Sequence, residues 1–353
     1  SVNFSFTKKI DTKHSIKAGI LADVMTFNYV DSNFIESIGK WENRLDYIGS
    51  TYLVQSYVQW KYKRTDDLVF NVGAHGQYFG LNGSYSVEPR LGMRWNFRPN
   101  QSLSFGYGMH SQMQPAYIYF HHLTLSDGSH VRHNKDLDFT HSEHYVLGYD
   151  NSLTASARLK VETYFQYLYN VPVDNFSSSF SLLNQGSTFS RFFPYSLENT
   201  GTGYNYGVEG TIEKFFSKSY FFMITGSWYD SKYEGKDGVF RNTDFNGNFA
   251  ANGLVGKEFI LDKKKNKVLT TGAKITWAGG KRYTPADVAA SLAAGELIEI
   301  DSLRNTLQFH NYFRFDLKLG FKINTSKLTH EFAIDLVNLL NTKNVLGLTY
   351  APD

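Results

Sequence analysis

Seven of the eleven histidines fall within one short span of the chain: His110, His121, His122, His130, His133, His141 and His144. Neutral imidazole is a common ligand for transition metals, so the span is a candidate contact for a metal ion, haem or a metal chelate. The competing reading is a solvated loop in which histidines happen to gather. The spacing matches no recognised ligand pattern, and adjacent His121 and His122 would point to opposite faces of a strand. Tyr117, Tyr119 and Phe120 stand just before them. Their rings could stack on a sugar or another flat ligand, or belong to an aromatic belt at a membrane interface. The ligand contacts expected from this region are Tyr117, Tyr119, His121, His122, His130 and His133. Hydrolysis finds no local signature, since neither a Gly-x-Ser-x-Gly elbow nor a His-Glu-x-x-His helix is present. With no cysteine, thiolate catalysis, disulfides and Cys-based metal sites are excluded. Neither an enzyme nor a resident cofactor is expected.

What would position such a loop is a set of strands, and the stretch from Thr306 to Val337 shows their character. Phe309, Phe313, Phe315, Leu317, Leu319, Phe321 and Ile323 share one parity, against Arg314, Asp316, Lys318 and Lys322 on the other. After a turn at Asn324–Lys327, Phe332, Ile334 and Leu336 oppose Glu331 and Asp335. Successive strand side chains point to opposite faces, so this hairpin has one greasy and one charged side. Its length suits a wall with lipid on one side and water on the other, where a tilted spanning strand needs roughly 9–11 residues. Arg314 and Asp316, both on the charged face, are expected to pair with each other in the wet interior.

Composition agrees. Tyr, Phe and Trp make up 16% of the 353 residues, more than a soluble core needs and in keeping with aromatic girdles. The mean hydropathy of −0.36 is uninformative for strands that are half wet, and no apolar run reaches the eighteen residues of a spanning helix. A net charge of +3, from 36 basic and 33 acidic residues, gives no sign of a nucleic-acid partner.

Fourteen strands can be placed along the chain, from residues 1–10 to 328–337. The connections between them alternate. One set is tight: 11–14, 65–67, 99–102, 151–155, 217–218, 262–266 and 324–327. The other is mostly long: 33–50, 115–136, 172–202, 234–242 and 284–305, with 82–85 as a short exception and a short helix expected from Pro285 to about Ala294. Segregation of tight turns from long loops is the organisation of an outer-membrane barrel. Ser1 opens directly into a strand with no signal peptide, which suggests a mature or partial chain.

Several stretches resemble the C-terminal barrel of TonB-dependent receptors of the Bacteroidota type. They are Gly201-Thr-Gly-Tyr-Asn-Tyr-Gly-Val-Glu-Gly-Thr-Ile-Glu-Lys214, Asn252-Gly-Leu-Val-Gly-Lys-Glu-Phe259, Gly279-Gly-Lys-Arg-Tyr-Thr-Pro285, Phe313-Arg-Phe-Asp-Leu-Lys318 and Asp335-Leu-Val-Asn-Leu-Leu-Asn-Thr-Lys-Asn344. Each motif is weak alone, but their order covers most of the chain. The resemblance implies an all-β, antiparallel transmembrane barrel in the bacterial outer membrane. Residues 1–353 would supply about fourteen of 22 strands, numbers 8 to 21, with the plug domain and closing strand absent and a strand-like Leu346–Tyr350 near the end. It further implies uptake of a large or scarce nutrient captured by extracellular loops, with outer-membrane lipids around the wall. TonB would couple through a segment upstream of these residues, and a surface lipoprotein is a further candidate partner. The alternatives are a self-contained fourteen-stranded passive channel, whose end strands must pair, and a surface scaffold that binds a partner protein without transport.

Overall fold

The computed structural model describes residues 1–35, 39–125, 127–186 and 195–351. Fourteen strands form one antiparallel sheet in which each is bonded to its sequence neighbours. They are β1 Val2–Lys9, β2 His14–Ile35, β3 Lys40–Lys63, β4 Leu68–Phe79, β5 Tyr85–Arg98, β6 Gln101–Gln112 and β7 Thr140–Thr154. β8 Ala157–Asp174, β9 Leu197–Ser217, β10 Tyr220–Glu234, β11 Phe249–Ile260, β12 Lys267–Ala278, β13 Tyr312–Asn324 and β14 Thr329–Leu336 complete it. A short strand at Phe240–Asn242 adds to the end of β10. No β1–β14 pair occurs among the described residues.

Register explains the alternation seen in the sequence. Leu317, Leu319 and Phe321 sit opposite Leu336, Ile334 and Phe332. On the other face Lys318 and Lys322 meet Asp335 and Glu331, each pair at 3.7 Å. The greasy row continues strand by strand: Phe315–Ile275, Leu317–Ala273, Ala273–Val255, Val255–Phe222, Val208–Trp228, Phe165–Tyr206 and Phe105–Leu147 are all direct partners. It ends at Ile20 opposite Phe4. Because the period is two, one register fits the whole wall, and a slip would turn every apolar chain inward. Large apolar residues on this face stay exposed in the isolated chain, Phe4 at 69% and Leu147 at 50% among them. Aromatic pairs such as Tyr107–Tyr145 and Phe249–Trp277, with ring centroids 5.0 and 4.8 Å apart, add to the belt.

The tight ends are built by local chemistry. Asp11 accepts from the N–H groups of Lys13 and His14, both at 2.7 Å, and those bonds hold its carboxyl below the usual carboxylate range. Thr65 Oγ1 accepts from the Asp67 and Leu68 N–H groups. Lys218 and Ser219 both take positive φ, 53° and 64°, the pattern of a two-residue type I′ turn.

Four expectations change. The segment 33–50 is not a loop: apart from residues 36–38, which lie outside the described set, and the turn residue Gly39, it belongs to β2 and β3. Together these strands make a hairpin that rises well past β4, which ends at Phe79 opposite Leu53. Residues 40–52 add roughly 40 Å of extended chain at ~3.3 Å per residue. Second, the segment 115–136 holds a one-turn helix, α1, Ala116–Phe120. Third, the helix expected from Pro285 is α2, Val288–Ala294. It starts where the Asp287 side chain accepts from the Ala290 N–H, and it ends at Gly295 with φ of 71°. Fourth, no strand forms at Leu346–Tyr350. Instead Asn344 donates to the Phe313 carbonyl and accepts from its N–H, at 3.1 and 3.0 Å. A side chain thus occupies the edge of β13 that a strand would otherwise pair. Of the expected 172–202 loop, residues 187–194 lie outside the described set, and β8 and β9 take up both flanks.

Candidate ligand-capture site at the loop rim

The segment 113–139 folds back onto the polar face of the wall. There Ile118, Tyr119, Leu137 and Phe139 pack with Phe79 and Leu197 in a small apolar core, flanked by Met25 and Leu53. Phe79, Leu53 and Met25 lie on the parity opposite the greasy row, so the segment covers the inner side. Phe120 is the anchor against the tall hairpin. It stacks on Tyr47 at 3.7 Å between ring centroids and contacts Phe27 and Tyr29 at 5.2 and 6.2 Å. The Arg132 guanidinium covers the Tyr47 ring at 5.2 Å, and the His122 N–H donates to the Arg44 carbonyl.

The six residues expected to touch ligand are dispersed. Tyr119 is fully buried, its hydroxyl accepting from the Gln114 N–H at 2.9 Å, and burial pushes its ionisation well above the usual tyrosine range. A ring with no free face cannot stack on a ligand in this conformation. His121 and His122 are also buried, at 4% and 3% exposure. Tyr117 is half-buried, while His130 and His133 are exposed. Within this set the fold joins His122 and His130, whose ring centroids are 4.2 Å apart. No group of three or more His, Cys, Asp or Glu side chains converges on a point among the described residues. His121 and His122 follow α1 rather than lying on a strand, so the alternation assumed for them does not apply.

His110 and His144 belong to a polar belt along the inner wall. Their rings meet edge-on at 5.0 Å. His144 Nε2 lies 2.7 Å from Ser142 Oγ and 3.0 Å from Gln166 Nε2, and Asn205 donates to Gln166 at 2.7 Å. This serine–histidine contact lacks the carboxylate that orients a catalytic imidazole. At the other end of the belt is Glu88, 1% exposed. It accepts from Gln77 Nε2 at 3.0 Å, Ser86 Oγ at 3.1 Å, the Ser111 N–H at 3.0 Å and Arg90 at 2.8 Å. His75 Nδ1 lies 2.8 Å away. Glu88 was unremarkable in sequence, one charge of many on an inner face. Its five partners come from three strands, and only the register brings them together. The expected Arg314–Asp316 pair is present at 3.0 Å.

Across the rim, the loops after β8, β10 and β12 lock into one another. Asp301 accepts from the Ser179 N–H and hydroxyl. Asn305 donates to Asp244 at 2.6 Å, and the Asp244 N–H donates to Asn184. Arg282 donates to the Asn246 carbonyl at 2.9 Å and to Asn248. Glycine is required at 279 and 280. A Cβ on Gly279 would lie 1.6 Å from the Gly247 carbonyl oxygen, and one on Gly280 would lie 2.0 Å from that of Phe309. Between these loops and the segment after β14 lies a cavity of about 270 Å³ lined by Tyr229, Asp244, Lys281, His310 and Tyr312.

The family model described as TonB dependent receptor-like, beta-barrel, matches residues 1–341. No curated protein sequence matches the chain. Among solved structures, the siderophore receptor PiuA from Acinetobacter baumannii is similar at a TM-score of 0.66 and 14% identity, covering 99% of this chain and 53% of that one. The ferripyoverdine receptor of the Pseudomonas aeruginosa outer membrane, bound to ferripyoverdine, gives 0.64 and 15% identity over 99% and 44%. The outer membrane transporter YddB from Escherichia coli gives 0.62 and 13% over 98% and 51%. The chain thus spans about half the length of the solved proteins it matches. These relatives are receptors and transporters rather than enzymes.

Proposed function

From the premise that this chain belongs to the TonB-dependent receptor β-barrel family of the bacterial outer membrane, we propose that residues 1–353 are one barrel domain that helps import a large or scarce nutrient. Uptake is energised through TonB, and the rim loops capture the ligand. The observation that carries this reading is the inward fold of 113–139 over the belt of His75, Glu88, Arg90, His110 and His144. That arrangement, a packed loop segment and a polar inner wall, supports reading the space there as a vestibule through which cargo would enter. His130 and His133 are exposed and Tyr117 is half-buried at that entrance, so these three are the expected first contacts, with Tyr119, His121 and His122 supporting them from within.

A self-contained passive channel is favoured less, because it requires β1 and β14 to pair and the described pairings include none. The test is uptake by a strain lacking the receptor and complemented with it, offered labelled siderophore, haem, peptide or glycan. Uptake of one class that a protonophore abolishes supports the reading. Uptake that persists without a proton gradient, or that any small solute shares, favours the passive channel. Binding of a partner protein with no uptake of any class favours the scaffold.

A further inference from the structure

The seam between 113–139 and the tall β2–β3 hairpin holds a histidine in an unusual setting. His122 is 3% exposed, and neither of its ring nitrogens makes a well-formed hydrogen bond among the described residues, although the Asn43 backbone interacts with the ring. Its ring lies against His130, whose Nδ1 is 3.2 Å from Thr124 Oγ1. Arg132, next along the same return, donates to the Asp46 carbonyl and covers Tyr47. On the hairpin side, the charged groups facing this point are Asp46 and Arg44, the latter paired with Asp31 at 2.7 Å. The His122 backbone donates to the Arg44 carbonyl, so the ring sits at the point of attachment.

We propose that His122 is a pH-responsive latch: as a neutral ring it lets 113–139 dock on the hairpin, and on gaining a proton it weakens that docking. The physical reason is that a charge on His122 would sit out of water beside His130 and Arg132, with only the Asp46 carboxylate and the Asn43 backbone to favour it. Burial, and then the neighbouring His130 and Arg132, hold the ring below the usual histidine range.

The sign follows from linkage. A histidine kept neutral in the docked state costs docking nothing above its free pKa of about 6.5. Docking weakens as pH falls through that value and stops weakening below the depressed, docked value. Between pH 7.5 and 5.5 the free ring's binding polynomial rises about tenfold, from 1.1 to 11, and this sets the upper bound on the rise of the undocked-to-docked ratio.

The experiment is amide hydrogen exchange of the receptor in detergent micelles at pH 7.5 and 5.5, corrected for intrinsic exchange. The expected result is a loss of protection of up to about tenfold, confined to 117–124 and 130–132, with the strands β7 to β10 unchanged. His122→Phe, which keeps a ring and cannot titrate, should lose the response, and His122→Gln does the same with a polar substitute. His130→Gln should retain it in reduced form. Unchanged protection in the wild type, or a response in either His122 variant equal to that of the wild type, overturns the proposal.

Discussion

Replacing Glu88 tests whether the inner-wall belt is a stability element. In Glu88→Ala, Gln77, Ser86 and Ser111 lose an acceptor in a site that is 1% exposed, and His75 and Arg90 lose their carboxylate. Breaking a buried ionic pair costs about 3–5 kcal/mol. The Arg90 side chain, however, is 44% exposed and can turn to water, so its share is screened. The expected loss is therefore about 3 kcal/mol, near the lower end of that range. Glu88→Gln keeps one acceptor but turns an amide donor toward Arg90 or His75, and should lose about 1–2 kcal/mol. The assay is denaturant unfolding and refolding in lipid vesicles, with equal slopes confirming that the same surface is exposed. Lys318→Ala is the comparison on the same face. Its pair with Asp335 is more than half exposed on both sides, so its removal should change stability by less than about 0.5 kcal/mol. A Glu88→Ala loss below about 1 kcal/mol, or one equal to that of Lys318→Ala, would refute the reasoning.

Two further substitutions probe the wall and the rim. Val255→Arg puts a charge on the greasy face midway along β11, between Phe222 and Ala273, and should cost about 2–4 kcal/mol in lipid vesicles. Lys274→Ala on the inner face should cost under about 1 kcal/mol in the same measurement. Gly279→Ala forces a Cβ into the Gly247 carbonyl and should part the loops after β10 and β12. Limited proteolysis would then cut both loops faster, while Gly347→Ala, which meets open space, should leave the pattern as it was.

The strands of the wall were legible because two solvents impose a period of two on them, as Phe315–Ile323 against Arg314–Lys322 shows. That rule lapses above the bilayer, where both faces are wet. Asp31, Ser32 and Asn33 carry no alternation, and a register shift between Asp31 and Ser32 breaks the parity. The top of the β2–β3 hairpin therefore read as a loop. The candidate site was legible only as a concentration of histidines. Whether a side chain on 113–139 would face outward or join a core depends on where Phe79 and Leu53 offer apolar surface, which is a tertiary fact. Tyr119 and His130 look alike in sequence and end at opposite extremes of exposure. Leu346–Tyr350 failed for another reason. Asn338 and Asn341 take positive φ, 52° and 49°, and turn the chain away from a ladder that its apolar residues alone would have suggested.

The tall hairpin has a mechanical consequence. Its two strands are paired from Ile35–Lys40 down to His14–Tyr62. Partway up the hairpin, Gly49 is covered by the Tyr47 ring, which stands where a Cβ would go. Bending such a ladder means breaking several cross-strand bonds at once. Undocking 113–139 breaks a ring stack, a cation–π contact and a few hydrogen bonds at the seam, and it opens the small apolar core around Phe79 as well. On the proposed latch, the hairpin is a fixed post and the histidine-bearing segment the part that would move against it. The seam near Tyr47 and the apolar core around Phe79 would then together set how this entrance opens, and the post would keep its position throughout.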